Sequence, residues 1–340
     1  MYAQTQQLLA NLVSDKIVPG VSYAILNQSE VLTDVFGWRE VMPERQKLIP
    51  GLQYDLASLT KVIGTATVIF QLVEQGKLSL ADPVQKYLPE FTDPRVQVWH
   101  LLTHTSGIAG YIPHRDDLSA AALKAALLKF PVTETFEHEM IYTDVGFLYL
   151  GWIIEQIYQL PVQQVISQQV LRPLQLRGAT FTPAPANCVP TNRRDGTLLQ
   201  GTVHDPKAHT LGEHCGSAGL FATLADLVQF SQWYLGQRPD LPAVISPEFI
   251  HELFADRTRH QLQRSLSWAL KFAPQDQHSL IFHSGYTGTF MLLDEQLQQG
   301  LVVLTNRVHP VEKNDLFLEK RHEIVQQFMR ELPISLVGGK

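Results

Sequence analysis

Ser58 and Lys61 stand three residues apart in Ser58-Leu-Thr-Lys61. Positions i and i+3 share one face of a helix, so the ammonium can approach the hydroxyl. A serine hydroxyl is a weak nucleophile until a base takes its proton. A lysine in a dry site loses its preference for the charged form and can become that base. The free N–H groups at a helix start add a place for an oxyanion. Tyr142-Thr-Asp144 precedes a long apolar segment, and a tyrosine beside a lysine can share a proton with it and pass it to a leaving group. His283-Ser-Gly285, inside HSGYTGT, sets polar residues at the end of a strand beside a glycine that lets another chain run close. Each fragment also has a plain structural reading. Ser-x-x-Lys arises by composition, Tyr142 can be a half-buried aromatic, Asp144 a helix N-cap and His283-Ser-Gly285 a turn between strands.

These fragments need elements to carry them. An amphipathic helix is expected over Tyr2 to Ser14, broken by Pro19-Gly20. Val21 to Leu26 and Val31 to Phe36 read as strands, with Asn27 to Glu30 as their turn. Helical patterns follow at Ser58 to Glu74, Ser119 to Phe130, Gly146 to Tyr158 and Val162 to Leu171. The stretch from Pro183 to His214 is rich in Pro, Gly, Asn, Thr and Asp and reads as a long loop of the kind that lines a site. Thr223-Leu-Ala-Asp226 resembles a capping box in front of a helix to Leu235, and Pro247 to Phe254 is another short helix. Strand-like runs occur at Ser267 to Phe272, Leu280 to His283, Thr289 to Leu293 and Gly300 to Thr305, and Pro310 is expected to open a last helix reaching Glu331. Strands at both ends with helices between them predict an α+β fold. Residues 1–60 and 173–340 would share one sheet, residues 61–172 would form an inserted all-helical region, and the site would lie at their junction.

Composition narrows the function. The chain has 340 residues, 45% apolar and 18% charged, which is ordinary globular usage. Lys plus Arg is 27 and Asp plus Glu is 33, a net charge of −6, so nothing draws the chain to nucleic acid or an anionic membrane. No signal peptide or membrane-length apolar run is evident, and a cytoplasmic location is expected. Cys188 and Cys215 are expected to be free thiols, Cys215 a small buried residue. His204, Asp205, His209, His214 and Cys215 are dense but lack the usual ligand spacings, so neither metal nor cofactor is expected. His100 and His104 read as structural, and Glu319 to Glu323 as a solvated helix face.

Taken in order, the three fragments resemble the serine β-lactamase and penicillin-binding protein superfamily, in its class C-like branch of β-lactamases, D-alanyl-D-alanine carboxypeptidases and esterases. Leu101-Leu-Thr-His-Thr-Ser-Gly107, Tyr142 to Gly151 and Gly216-Ser-Ala-Gly-Leu-Phe-Ala-Thr-Leu-Ala-Asp226 extend the likeness from about Val18 to Asn306. The resemblance implies an antiparallel sheet flanked by helices, with a helical region beside it. It also implies Ser58 as acyl-forming nucleophile, Lys61 helping to deprotonate it, and Tyr142 as shared base and then acid. His283, Ser284 and Gly285 would form the substrate-binding edge, and the backbone N–H groups of Ser58 and Tyr286 the oxyanion hole.

Two residues depart from the family pattern. Asp144 stands where the family usually has Asn; ionised, it cannot donate a hydrogen bond to a substrate carbonyl, and it holds Lys61 charged, which shifts weight to Tyr142. His283 stands where β-lactamases have Lys and offers less charge to a substrate carboxylate. The expectation is a serine hydrolase forming an acyl-enzyme on a small ester or amide. A β-lactamase or D-alanyl-D-alanine carboxypeptidase is the second reading. A non-catalytic module binding a peptidoglycan fragment, with Lys61 locked by Asp144, is the rival of another class.

Overall fold

The computed structural model describes residues 1–312 and 314–333. Seven antiparallel strands form the main sheet: β1 (Gly20–Asn27), β2 (Glu30–Glu40), β3 (Gln46–Lys47), β4 (Ala269–Phe272), β5 (Ser279–Ser284), β6 (Phe290–Asp294) and β7 (Gln299–Thr305). Their order across the sheet is β3-β2-β1-β7-β6-β5-β4. The first and last parts of the chain therefore meet in the middle, where Ile25 pairs with Leu301.

The run Gly300-Leu-Val-Val-Leu304 explains why β7 is central. It is apolar at every position after the glycine, as a strand buried on both faces must be. Leu301 and Val303 face one cluster, with Tyr23, Ile25, Phe290, Phe317 and Phe328. Val302 and Leu304 face the other, which continues through Ile63, Leu101, Phe147 and Trp152. The first cluster is covered by the terminal helices α1 (Ala3–Ser14) and α10 (Asp315–Arg330). The second joins the sheet to α2 (Ala66–Glu74), α3 (Val98–Thr103), α4 (Ala120–Leu127), α5 (Val145–Tyr158) and α6 (Val162–Ile166). Later come α7 (Pro206–Leu211), α8 (Leu224–Tyr234) and α9 (Pro247–Glu252).

Three expectations need correction. The Pro183 to His214 stretch is not a plain loop: it holds a small hairpin, Arg193–Arg194 with Thr197–Leu198, and the helix α7. Asp205 caps α7 by accepting from Ala208 N–H at 2.8 Å, and Pro206 takes the first helical position, where no N–H is needed. Pro310 does not open the last helix; Asn314 does, its side chain accepting from Phe317 N–H at 3.1 Å. The Ser58 to Glu74 helix is not uniform, because Lys61–Thr65 form a widened π-turn before α2. The Thr223 capping box is present, with Asp226 and Thr223 bonding each other's backbone N–H at 2.9 and 3.2 Å.

Candidate active site

Ser58 follows a strained turn. Ala57 has φ 46°, a left-handed value that costs a side-chain-bearing residue about 1 kcal/mol. Asp55 holds that turn: one carboxylate oxygen accepts from Ala57 N–H at 2.9 Å and the other from His204 N–H at 2.7 Å. Burial pushes the Asp55 carboxyl up to about 6, against the pull of those two N–H groups. The turn between β5 and β6 grips the same segment. Thr287 donates to the Asp55 carbonyl at 2.7 Å and Thr289 to the Leu56 carbonyl at 3.1 Å. Gly285 is required here, because a Cβ would strike the Thr289 hydroxyl and the Leu56 carbonyl. This clamp sets Ser58 and Tyr286 on facing segments, and among the described residues neither of their N–H groups has a partner.

Lys61 lies one turn beyond Ser58 and is wholly buried. Its ammonium donates to Ser58 Oγ at 2.7 Å, Asp144 Oδ1 at 2.7 Å and the Ser217 carbonyl at 3.1 Å, so all three N–H groups are used. Burial disfavours its charge, but the Asp144 carboxylate and, after it, Tyr142 more than offset this and raise Lys61 above its ordinary range. Asp144 occupies the N-cap position of α5 but makes no cap bond; its oxygens face two ammonium groups instead. Burial disfavours the charge of Asp144, yet Lys61 and Lys207 hold its carboxyl well below the usual range.

Tyr142 arrives on the extended segment before α5, tied to the Leu101 to Gly107 turn by Ile141 N–H donating to the His104 carbonyl at 3.0 Å. Its ring packs on His104 at 4.5 Å and lies 5.3 Å from Lys61 Nζ. It is 45% exposed and faces the cleft. His283 ends its strand paired with Met291 and is buried edge-on to Trp268, 6.2 Å between rings. Burial, then Arg264 and Lys61, push His283 well below the ordinary histidine range, and among the described residues neither ring nitrogen has a partner. Ser284 completes the strand opposite Phe290, and Tyr286 stacks on His204 at 5.3 Å, donating its hydroxyl to Glu312 at 2.8 Å. Together these residues line one cleft of about 540 Å³. All eight residues singled out from the sequence meet there or border it.

Sequence reasoning missed four cations in the same cleft, Lys207, Arg264, Arg307 and Arg321. Lys207, on α7, pairs with Asp144 at 2.9 Å and Asp205 at 3.1 Å. Arg264 is 4% exposed, donates only to the Ser267 carbonyl at 3.1 Å, and has no carboxylate partner among the described residues. Burial lowers it to about 10, against a weak pull from Tyr142. Arg321 corrects the reading of Glu319 to Glu323 as a solvated face, since it turns into the cleft beside Phe282. Three of the five residues weighed as metal ligands have other surroundings. His214 pairs with Glu155 at 2.8 Å, Asp205 serves α7 and Lys207, and Cys215 is a buried free thiol.

A serine hydroxyl under a lysine, opposite a tyrosine and below two open N–H groups, is the constellation of a serine hydrolase that works by acyl transfer. The chain belongs to the Beta-lactamase family, whose model matches residues 5–324. It is 27% identical to an N-acetylmuramyl-L-alanine amidase of Bacillus subtilis (strain 168), covering 79% of this chain and 71% of that protein. It is 27% identical to a putative D-alanyl-D-alanine carboxypeptidase of Escherichia coli (strain K12), covering 79% and 72%. A solved class C beta-lactamase superposes with a TM-score of 0.77 at 19% identity, covering 100% of this chain and 97% of that one. The antiparallel sheet with its helices is thus the β-lactamase fold. Among the described residues no helix is long and apolar enough to cross a membrane.

Proposed function

We propose that this hydrolase cleaves a small ester or amide through an acyl-enzyme on Ser58. The observation that carries the reading is Lys61 Nζ placed 2.7 Å from both Ser58 Oγ and Asp144 Oδ1, with the Tyr142 ring across it. Lys61 is charged at rest, so it is not the base by itself. The competent form is a Lys61–Tyr142 pair that has lost one proton. Ser58 passes its proton into that pair as Oγ bonds to the acyl carbon. The Ser58 and Tyr286 N–H groups take the oxyanion, and charged Lys61 steadies the serine oxygen. Tyr142, the exposed member, gives a proton to the leaving oxygen or nitrogen as its bond to carbon breaks. Water then adds to the ester carbon, passing a proton to the pair, and the pair hands it on to Ser58 Oγ as the ester bond breaks and the acid leaves.

Arg264 favours a second reading, in which the substrate is an amide carrying a carboxylate, as a β-lactam or a peptide ending in D-alanine does. A buried guanidinium without a counter-ion is costly, and an anion arriving with the substrate removes that cost. The relatives named above as amidase and carboxypeptidase support an amide. A fluorophosphonate probe followed by intact-mass measurement tests the shared chemistry: one adduct on wild type and none on Ser58→Ala are expected. No adduct on wild type, or an equal one on Ser58→Ala, removes both readings. p-Nitrophenyl butyrate, nitrocefin and a D-Ala-D-Ala peptide then separate them.

A further inference from the structure

Four charges alternate along one wall of the cleft. Lys61 meets one oxygen of Asp144, Lys207 meets the other at 2.9 Å, and Asp205 meets Lys207 at 3.1 Å. Lys207 is 15% exposed and is hydrogen-bonded to neither Ser58 nor Tyr142, so it acts on the reacting atoms through Asp144. Asp205 fixes it twice over, by capping α7 and by pairing with the ammonium two residues on. This position is built, not incidental: an exposed lysine would gain little from such a pair, whereas this one exchanges water for two carboxylates.

We propose that Lys207 is a positioning residue that sets how tightly Lys61 holds its proton, acting across the shared carboxylate of Asp144. The proposal rests on the acyl-transfer reading above. Alone, Asp144 would face Lys61 with an undivided negative charge. Lys207, which it shares with Asp205, offsets part of that charge, so the Lys61–Tyr142 pair gives up a proton at lower pH. The other groups facing Lys61 do not undo this. Ser58 and the Ser217 carbonyl are neutral, burial keeps His104 and His283 uncharged, and Arg264, 5.8 Å from the Tyr142 ring, is the same in every variant compared. Around Lys207 the remaining titratable and charged groups are Asp205, with His114, Arg115, Asp116, Asp117 and Arg194 further out, and Arg115 and Asp116 are paired to each other at 2.8 Å.

The test is the pH profile of kcat/KM, with the rate of fluorophosphonate labelling followed in parallel. Lys207→Met is expected to move the acid limb up by about one pH unit, a loss of roughly tenfold below the limb, while the high-pH plateau stays near wild type. Lys207→Arg keeps the charge and is expected to keep the limb. Asp144→Asn/Lys207→Met removes both charges, so its limb should fall back below that of Lys207→Met. A limb unmoved in Lys207→Met, or a rate lowered equally at every pH, overturns the proposal and leaves only a structural lysine. So does a double variant whose limb lies as high as that of the single one. Failure of wild type to form the Ser58 adduct would remove the acyl-transfer reading and this proposal together; an adduct with an unmoved limb removes this proposal alone.

Discussion

The two walls of the cleft treat charge in opposite ways. On the wall formed by α5, α7 and the Ser58 turn, every charge has a partner: Lys61 with Asp144, Asp144 with Lys207, Lys207 with Asp205. On the sheet wall the polar groups wait. Among the described residues His283 has two unpartnered ring nitrogens, and the Nε atoms of Arg264 and Arg307 are buried without acceptors. Glu312, the carboxylate on that side, is occupied by the Tyr286 hydroxyl at 2.8 Å and by Asn192 at 3.2 Å. Under the acyl-transfer mechanism proposed above, the difference separates two jobs. Groups that move protons are organised by the protein before substrate arrives, which costs nothing at the moment of reaction. Groups that recognise substrate keep an unmet demand, and binding satisfies it.

The largest effect should come from opening the closed wall. Lys61→Met is expected to lower kcat/KM about a thousandfold, since the nucleophile loses its hydrogen-bond donor and half its proton-accepting pair. The variant should also melt lower, because Asp144 then keeps only Lys207. Steady-state rates and thermal denaturation check both. Activity within tenfold of wild type would mean that Tyr142 works without Lys61 and that the paired wall is scaffolding.

Changing the open wall should do the reverse to stability. Arg264→Met removes a buried cation that has no counter-ion, so the melting temperature is expected to hold or rise. Binding of a carboxylate-bearing amide should weaken by about tenfold to a hundredfold, while turnover of a neutral p-nitrophenyl ester should change less than about threefold. The paired measurement is KM for both substrates on both proteins. Equal losses on the two substrates would show that Arg264 supports Tyr142, whose ring it faces at 5.8 Å, and not a substrate anion.

Both walls were partly legible in the sequence, the closed one through Ser58, Lys61, Tyr142 and Asp144 and the open one through His283 to Tyr286, while the added cations were not, for a physical reason. Ser58 with Lys61 is a local pattern, and Tyr142 and His283 sit at the ends of elements that periodicity finds. Lys207 hid in a stretch whose Pro and Gly content argues against helix; Asp205-Pro206, a cap followed by a proline at the first helical position, was the signal that could have found it. Arg321 was readable too. It lies four residues after Phe317 and three before Ile324, both buried, so it falls on the apolar stripe of α10 and not on its wet face. Arg264 carries no such mark. It comes just before a four-residue strand, and what makes it notable is the absence of a partner, a property only the folded chain has.

The smallest effect concerns pH and stability, and it too divides the walls. His104 and His283 are pushed well below the ordinary histidine value by burial, then by Arg264 and Lys61. A histidine depressed in the folded state contributes stability that is whole above its unfolded value, about 6.5, and is lost as pH falls below it. Asp55 acts with the opposite sign. Raised to about 6, it contributes stability at low pH that is lost as pH rises between its unfolded value and 6. The wild-type profile between pH 5 and 7 mixes both, so differences between proteins are the informative quantity. His283→Gln is expected to flatten the acid side by up to about 1.4 kcal/mol per pH unit, the most one titrating group can contribute. Arg264→Met should flatten it less, because burial remains and only the second cause is removed. Urea denaturation at half-unit steps from pH 5 to 7.5 measures the three slopes. Should His283→Gln keep the wild-type slope, the imidazole already has a partner in solution, and the sheet wall is not open in the way the distances describe.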